Sequence, residues 1–387
     1  MEMRPTDSLV LCPICYQSAP LLRSTEFSRR GALPTQIGIY VCKSCSFGFN
    51  FPRPKEPYDK YYSDHQNDQL GQNWKISESE IKRYKDQISV LHKYLIGGRS
   101  LRILDFGCGQ GGLLETMAFE HKLHSYFGCD ANAQKRITDD GVSIHRDLSE
   151  LTGPFDVIVL SHVVEHLIDF ETLERVAKLL SPEGIVYIEV PNASAYETYP
   201  RREFLYYFDR LHVNHFTHLA LQKTADAFAL VPLEFGNQFF GYKDDGLFPA
   251  IYGVFSKCIA AKARSKAFDL NASFCRYIEE ENARLTPTHA ALRTEIDVIA
   301  YGFGDNFFRS FGKGGPLEGI LLAAVVDQRS SDLSKGDYAT RYQFLDSVAA
   351  SARFPLATWV ITVSWGSEAI AENLKSLGVE PSRILLL

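Results

Sequence analysis

Residues 103–112 read ILDFGCGQGG, an apolar run followed by an aspartate at 105 and glycines at 107, 109, 111 and 112. Glycines spaced this way between a strand and a helix let the backbone turn tightly and approach a ligand closely. The stretch satisfies G-x-G-x-x-G literally. Asp130 ends the next apolar run, SYFGCD, where a ribose-hydroxyl acceptor belongs. A P-loop is excluded because no Gly-Lys-Ser/Thr follows. Asp105 separates the remaining ligands. At the C-terminal lip of the first strand its carboxylate repels a pyrophosphate and attracts a cation. The pattern therefore favours a cofactor that brings positive charge, and no phosphate, to that lip.

Outward from this turn the chain alternates. LRILDF, SYFGCD, GVSIHRD, FDVIVL and GIVYIEV read as buried strands, and GGLLETMAFEH and Glu171 to Leu180 as helices, the latter stopping at Ser181-Pro182. PLEFGNQFF and GLFPAIYGVFSKC complete the sheet as antiparallel edge strands. Upstream, Ile81, Tyr84, Ile88, Leu91 and Leu95 form one stripe of a helix over Glu78 to Ile96. A second alternation begins near residue 270, with a helix over Phe274 to Leu285, then IDVIAYGFGDNFFRSF, GILLAAVVD, TWVITVS, a helix over Glu368 to Leu377, and ILLL. The expected organisation is α/β in three units: an N-terminal unit (1–62), a central Rossmann-like sheet (63–268) and a smaller C-terminal α/β domain (269–387).

Four of the eight cysteines form Cys12-Pro-Ile-Cys15 and Cys42-Lys-Ser-Cys45 in a turn-rich segment. Two CxxC knuckles complete a tetrahedral four-sulfur shell around a structural zinc with no open position. Cys108, Cys129, Cys258 and Cys275 are scattered in apolar surroundings, usage that fits a reducing cytoplasm. The opening residues lack an apolar core of signal-peptide length, and apolar runs fall short of the about 18 residues a membrane span requires. A soluble, cytoplasmic protein is expected. The formal charge of −6 gives no overall field for nucleic acid or an anionic membrane. The first 60 residues carry only a mild basic excess, eight Lys/Arg against five Asp/Glu.

The segment 100–190 resembles the class I S-adenosylmethionine-dependent methyltransferases. The resemblance is carried by Asp105, Gly107 and Gly109, by Asp130, by Asp147 in HRDLSE, and by FDVIVLSHVVEHL. It implies that Asp130 holds the ribose hydroxyls, that Asp147 and Leu148 border the adenine, and that Ser161 or His162 lies near the sulfonium. The H-x-x-E-H of His162, Glu165 and His166 has the spacing of a zinc-binding helix, its histidines four apart on one face. A histidine–carboxylate cap at the strand's edge is the favoured reading. FDRLHVNHFTHLAL adds His212, His215 and His218, where a histidine can accept a proton near neutral pH.

The order knuckle, methyltransferase domain, α/β domain resembles the C-methyltransferases acting on nucleotide-linked keto-deoxysugars. A Y-H-E-H-type stretch before Y-F-S supplies the catalytic groups in that family; here its final histidine aligns with His212 and its end with Phe216-Thr217. Asp209 and Leu211 stand where the family has Tyr and Glu. His212 alone suits deprotonation of a hydroxyl, hence O-methylation, whereas C-methylation needs an enolate stabilised electrostatically. The expected base is His212, then His215, with Asp209 orienting it. The expected acceptor is a small molecule, a nucleotide sugar or sugar-derived metabolite. The C-terminal glycine turn Gly302-Phe303-Gly304 lacks a third glycine, so nucleotide binding there stands beside a structural or dimer-forming role. An RNA methyltransferase with a zinc knuckle and a non-catalytic scaffold are the alternatives.

Overall fold

The computed structural model describes residues 10–64, 76–96, 98–138, 140–199, 201–241, 247–257 and 264–387. The opening stretch forms the expected strand, turn and helix: Arg102–Phe106 runs into Gly107, and the helix Gly112–Glu120 starts after Gly111. Around it lies an eight-stranded sheet. Its order is Val231–Gly241, Leu247–Ser256, Leu180–Pro191, Phe155–Ser161, Arg102–Phe106, Ser125–Cys129, Ser143–His145 and Arg136–Ile137. The middle strands are parallel, and Leu247–Ser256 is antiparallel to both of its neighbours. Of the two segments expected as edge strands only Val231–Gly241 is one. Leu247–Ser256 lies inside the sheet and is buried beyond its first residue, which explains its unbroken apolar run. Cys258, just past it, lies outside the described residues.

Ser181-Pro182 does not end the preceding helix. That helix is Glu171–Lys178, and the pair sits in the strand Leu180–Pro191, beside a register shift between Phe155 and Val157. A proline is accommodated at such an irregularity because no regular ladder bond is lost. The helix Glu78–Leu95 opens with a capping box between Ser77 and Glu80 and buries Ile88, Leu91 and Leu95 against the sheet.

The N-terminal segment has more regular structure than its turn-rich sequence indicates. Leu21–Glu26, Gln36–Cys42 and Phe47–Phe51 form an antiparallel sheet, which Asn214–His215 extends. From residue 270 the helix Leu270–Leu292 is longer than the expected Phe274–Leu285. It leads to a five-stranded parallel sheet in the order Phe344–Leu345, Ala324–Val326, Val298–Tyr301, Thr358–Ile361 and Ile384–Leu386. One apolar cluster joins these parts: Phe27 and Ile39 from the N-terminal sheet, Tyr196 and Phe208 from the connecting loop, and Phe274 and Phe307 from the C-terminal unit. Among the described residues no helix is long and apolar enough to cross a membrane.

Candidate active site

Gly107 has φ +81°, and a Cβ there would meet Val163 Cγ2 at 2.2 Å, so only glycine fits the turn. Gly109, φ +52°, donates its N–H to Asp130 Oδ2 at 2.9 Å, tying the loop to the next strand. Asp130 also accepts from Asn132 N at 2.8 Å. Asp105 is 4% exposed. Burial first, then the like charge of Asp130, pushes its carboxyl up to about 7, with Arg83 offsetting part of this. A cation beside Asp105 would satisfy a carboxylate the fold holds at a disadvantage.

Two adjoining hollows meet over the loop. One, about 310 Å³, is lined by Asp105, Gly107, Gly109, Asp130, Ser161 and His162, together with Arg83, Tyr84 and Gln87. The other, about 420 Å³, takes in Gly107, Asp130, Asp147, Leu148, His162 and His166, and is walled by Tyr58 and Tyr62 of the helix Lys55–Asp64. All eight residues expected at the cofactor thus line these hollows. Arg83 and Gln87 were not expected. Both donate to Ser161 Oγ, at 2.8 and 2.7 Å, and Gln87 also donates to Glu189 Oε1 at 2.7 Å. Their signal in the sequence is a spacing of four on a helix whose other face is apolar.

His162 and His166 do not share a helical face. The strand ends at Ser161, His162 takes a left-handed φ of +56°, and Val164–His166 is a single 3₁₀ turn, so the two rings diverge. His162 forms the expected cap: Nδ1 lies 3.1 Å from Glu165 Oε1 and Nε2 3.2 Å from Glu189 Oε1. Although burial and Arg83 oppose it, these carboxylates hold His162 above its ordinary range. Burial works against the Glu165 charge too, but His162 overcomes it and keeps that carboxyl at about 2.

His166 faces the other way. Its Nδ1 lies 3.0 Å from Leu211 O and 3.2 Å from Tyr62 Oη. A carbonyl only accepts, so Nδ1 carries the proton and Nε2 keeps its lone pair. The His212 ring packs against it, centroids 4.9 Å apart. His212 is pushed down to about 4, by burial and then by His166, and is neutral at pH 7. Glu165, His166 and His212 bring one ligand atom each within 4.8 Å of one another, a set that can hold a divalent ion as well as move a proton.

The trio in FDRLHVNHFTHLAL is not gathered. His212 is in a loop, His215 in the short strand, and His218 opens a helix, its Nε2 3.1 Å from Gly236 O. His215, expected as an alternative base, is 0% exposed and lines neither hollow. Its Nε2 contacts Asn50 Oδ1 and its Nδ1 contacts Tyr196 Oη, both at 3.3 Å, so both ring nitrogens are engaged in packing the N-terminal sheet. Burial pushes it down to about 3. Asp209 does not hold the His212 ring directly; Oδ1 accepts from Leu211 N at 2.7 Å, and Oδ2 lies 3.9 Å from Arg309 Nη1.

The four N-terminal cysteines converge. Sγ–Sγ distances are 3.6 Å for Cys12–Cys45, 3.4 Å for Cys15–Cys42 and 3.6 Å for Cys15–Cys45. These exceed a disulfide bond, about 2.05 Å. They approach the edge of a tetrahedron with zinc–sulfur bonds of about 2.3 Å. The residue after each knuckle, Tyr16 and Ser46, has a left-handed φ, +58° and +54°, so the two turns repeat one geometry.

Residues 76–233 match the family described as methyltransferase domain. The matched segment, under half of the chain, is similar to a methyltransferase domain. Curated relatives are named ubiquinone biosynthesis O-methyltransferase. That of Chelativorans sp. strain BNC1 is 35% identical over 105 residues, 24% of this chain and 41% of its own. The human mitochondrial protein is 32% identical over 109 residues, 24% of this chain and 29% of its own. The chain thus spans well under half the length of the curated relatives it matches. Among solved structures, the 1,6-didemethyltoxoflavin-N1-methyltransferase of Burkholderia thailandensis, bound to its substrate and S-adenosylhomocysteine, covers 60% of this chain and 100% of its own. Its identity is 19% and its TM-score 0.38.

Proposed function

We propose that the whole chain transfers the methyl group of S-adenosylmethionine to a hydroxyl of a small molecule, with His166 as general base and His212 packed beside it. The observation that carries this reading is the contact of His166 Nδ1 with the Leu211 carbonyl at 3.0 Å. The Leu211 carbonyl engages Nδ1–H, leaving the Nε2 lone pair on a side chain that lines the larger hollow. Asp105 meets the cofactor's cationic end, Asp130 its ribose, Asp147 and Leu148 its adenine, and Ser161 with His162 borders the sulfonium. The protein's main contribution is alignment of oxygen, methyl carbon and sulfur.

The name of the curated relatives favours an oxygen nucleophile. The support for a sugar-derived acceptor, nucleotide-linked in its fullest form, is the resemblance of the order knuckle, methyltransferase domain, α/β domain to the sugar C-methyltransferases. A structural zinc on Cys12, Cys15, Cys42 and Cys45 and the division 1–62, 63–268 and 269–387 belong to the same reading, with the strand Asn214–His215 shared between the first two units.

The direct test is S-adenosylhomocysteine formation with a panel of nucleotide sugars and other small hydroxyl compounds, the methylated atom being read by mass spectrometry and NMR. Turnover with a hydroxyl acceptor supports the proposal. Failure to bind S-adenosylmethionine by calorimetry would leave the scaffold reading, and turnover on RNA with steep salt dependence would replace the small molecule. His166→Ala should lower kcat by about 10²–10⁴-fold, the range for a lost general base, at unchanged cofactor affinity. His212→Ala should cost less, and unchanged turnover in His166→Ala removes the assignment.

A further inference from the structure

The loop from Arg201 to His212 has little regular structure, yet Phe204, Leu205, Tyr207, Phe208 and Arg210 are all 0% exposed. The C-terminal unit meets Glu203, Phe204, Leu205 and the Arg210 guanidinium, while Asn50 and Tyr58 from the N-terminal side meet the carbonyls of Asp209, Arg210 and His212. Arg210 donates to both oxygens of Asp305, at 2.9 and 3.2 Å, and to Ser28 O at 2.6 Å. In the opposite direction Arg309, 3% exposed on the helix Asp305–Phe311, pairs with Glu203 and faces Asp209. The N–H groups of Phe204 and Leu205 donate to Asn306 Oδ1 at 3.2 Å and to Glu281 Oε2 at 3.0 Å. Leu205 is held at φ +48°, a region a branched side chain enters at a cost.

This seam already contains Phe27, Phe204, Phe307 and Phe308 in one apolar cluster. Adding two buried arginines gives little net stability, because desolvation cancels most of the attraction. Such pairs are better suited to fixing one arrangement, since every other register strands a buried charge. The arrangement they fix ends at the proposed base. Asp209 receives Leu211 N–H, and the Leu211 carbonyl engages His166 Nδ1.

We propose that Arg309 is a positioning residue for the methyl transfer. With Asp305 and Arg210 it clamps the 201–212 loop, so that the Leu211 carbonyl holds His166 in its Nδ1–H form. The C-terminal unit thereby acts on a reaction centre it does not itself contain. This inference rests on His166 as the base.

The test uses the full chain as Arg309→Gln and Arg309→Lys, with two readouts. Long-range ¹H–¹⁵N spectra of the histidine rings report the His166 tautomer and need no acceptor. Steady-state kinetics report the division between kcat and KM. Arg309→Gln should show mixed His166 tautomers and a kcat lowered about 10–100-fold, the scale of a misplaced catalytic group, with cofactor KM within about twofold of the parent. Arg309→Lys should recover part of kcat. Should Arg309→Gln fail to fold, Asp305→Asn is nearly isosteric, removes the partner of Arg210, and is expected to give the same pattern. A single Nδ1–H tautomer with parental kcat in a folded variant overturns the proposal. If the parent binds cofactor but methylates no acceptor, the function is misread, and the tautomer alone decides whether the clamp exists.

Discussion

With the proposed zinc on its four cysteines, the protein is expected to lose the metal in Cys42→Ser and to unfold its N-terminal sheet. Cys42 ends the strand Gln36–Cys42 and is fully buried, in one apolar cluster with Tyr40, Phe47 and Phe49. Four thiols gathered in such a core without a metal leave buried polar sulfur in place of a cross-link between two turns. Structural zinc contributes about 10–16 kcal/mol to small zinc-dependent folds. A tenth of that already moves Tm by about 2–4 °C in a domain of roughly 150–250 residues. The expected fall is therefore about 10 °C or more, accompanied by proteolytic cleavage within residues 10–51. Metal analysis of the parent should give about one zinc per chain, as a four-sulfur shell requires. A parent free of zinc, with four thiols that titrate readily and an unchanged Tm, would show that the cysteines serve as a dithiol pair instead.

The consequence extends beyond the knuckles. Phe47–Phe51 pairs with Asn214–His215, and Asn50 Nδ2 donates to the carbonyls of Asp209 and His212, at 2.9 and 3.2 Å. Loss of the zinc should therefore reduce turnover more than cofactor affinity, because the glycine loop belongs to a different sheet.

What could be read in advance was what the chain writes locally. Asp105, Gly107, Gly109 and Asp130 are legible because strand, turn and helix follow one another within about thirty residues, and glycine is demanded at a positive φ. The central strands themselves are legible for the same reason, each apolar run being separated by a helix or turn, whereas their order in the sheet is not. The role proposed for His166 is not legible in the sequence because its contact with His212 joins segments far apart in the chain, through a 3₁₀ turn and a loop with no period. The N-terminal strands were missed because LLRSTE and FGFNF show no clean alternation: one is half exposed, and the other is buried on both faces by the returning strand and the apolar core. Arg83 was hidden by the helix that carries it, whose apolar stripe accounts for its fold without giving its polar face a purpose.

The carboxyl of Asp105 supplies the second large effect, and its sign follows from its direction of shift. Burial and then Asp130 raise it from 3.8 to about 7. Between these values the unfolded chain has released a proton that the folded chain retains. Ionisable Asp105 therefore costs nothing below pH 4, costs progressively more stability as pH rises towards 7, and a constant amount above it. A cation seated at the strand's lip reverses this preference, since it favours the carboxylate. Cofactor affinity should be constant above about pH 7 and fall by up to tenfold per pH unit below it, the proton having to leave before the cation enters. Asp105→Asn should bind about 10–100-fold more weakly at pH 8, the loss of a charged hydrogen bond or two, with that pH dependence gone. S-adenosylhomocysteine keeps the amino group and lacks the sulfonium, so calorimetry with both ligands separates the two charges. An equal loss for each assigns Asp105 to the amino group, and a loss confined to S-adenosylmethionine assigns it to the sulfur. Parental affinity for both ligands in Asp105→Asn, or tighter binding of a nicotinamide dinucleotide, would remove the electrostatic reason for reading this turn as a site for a cationic cofactor.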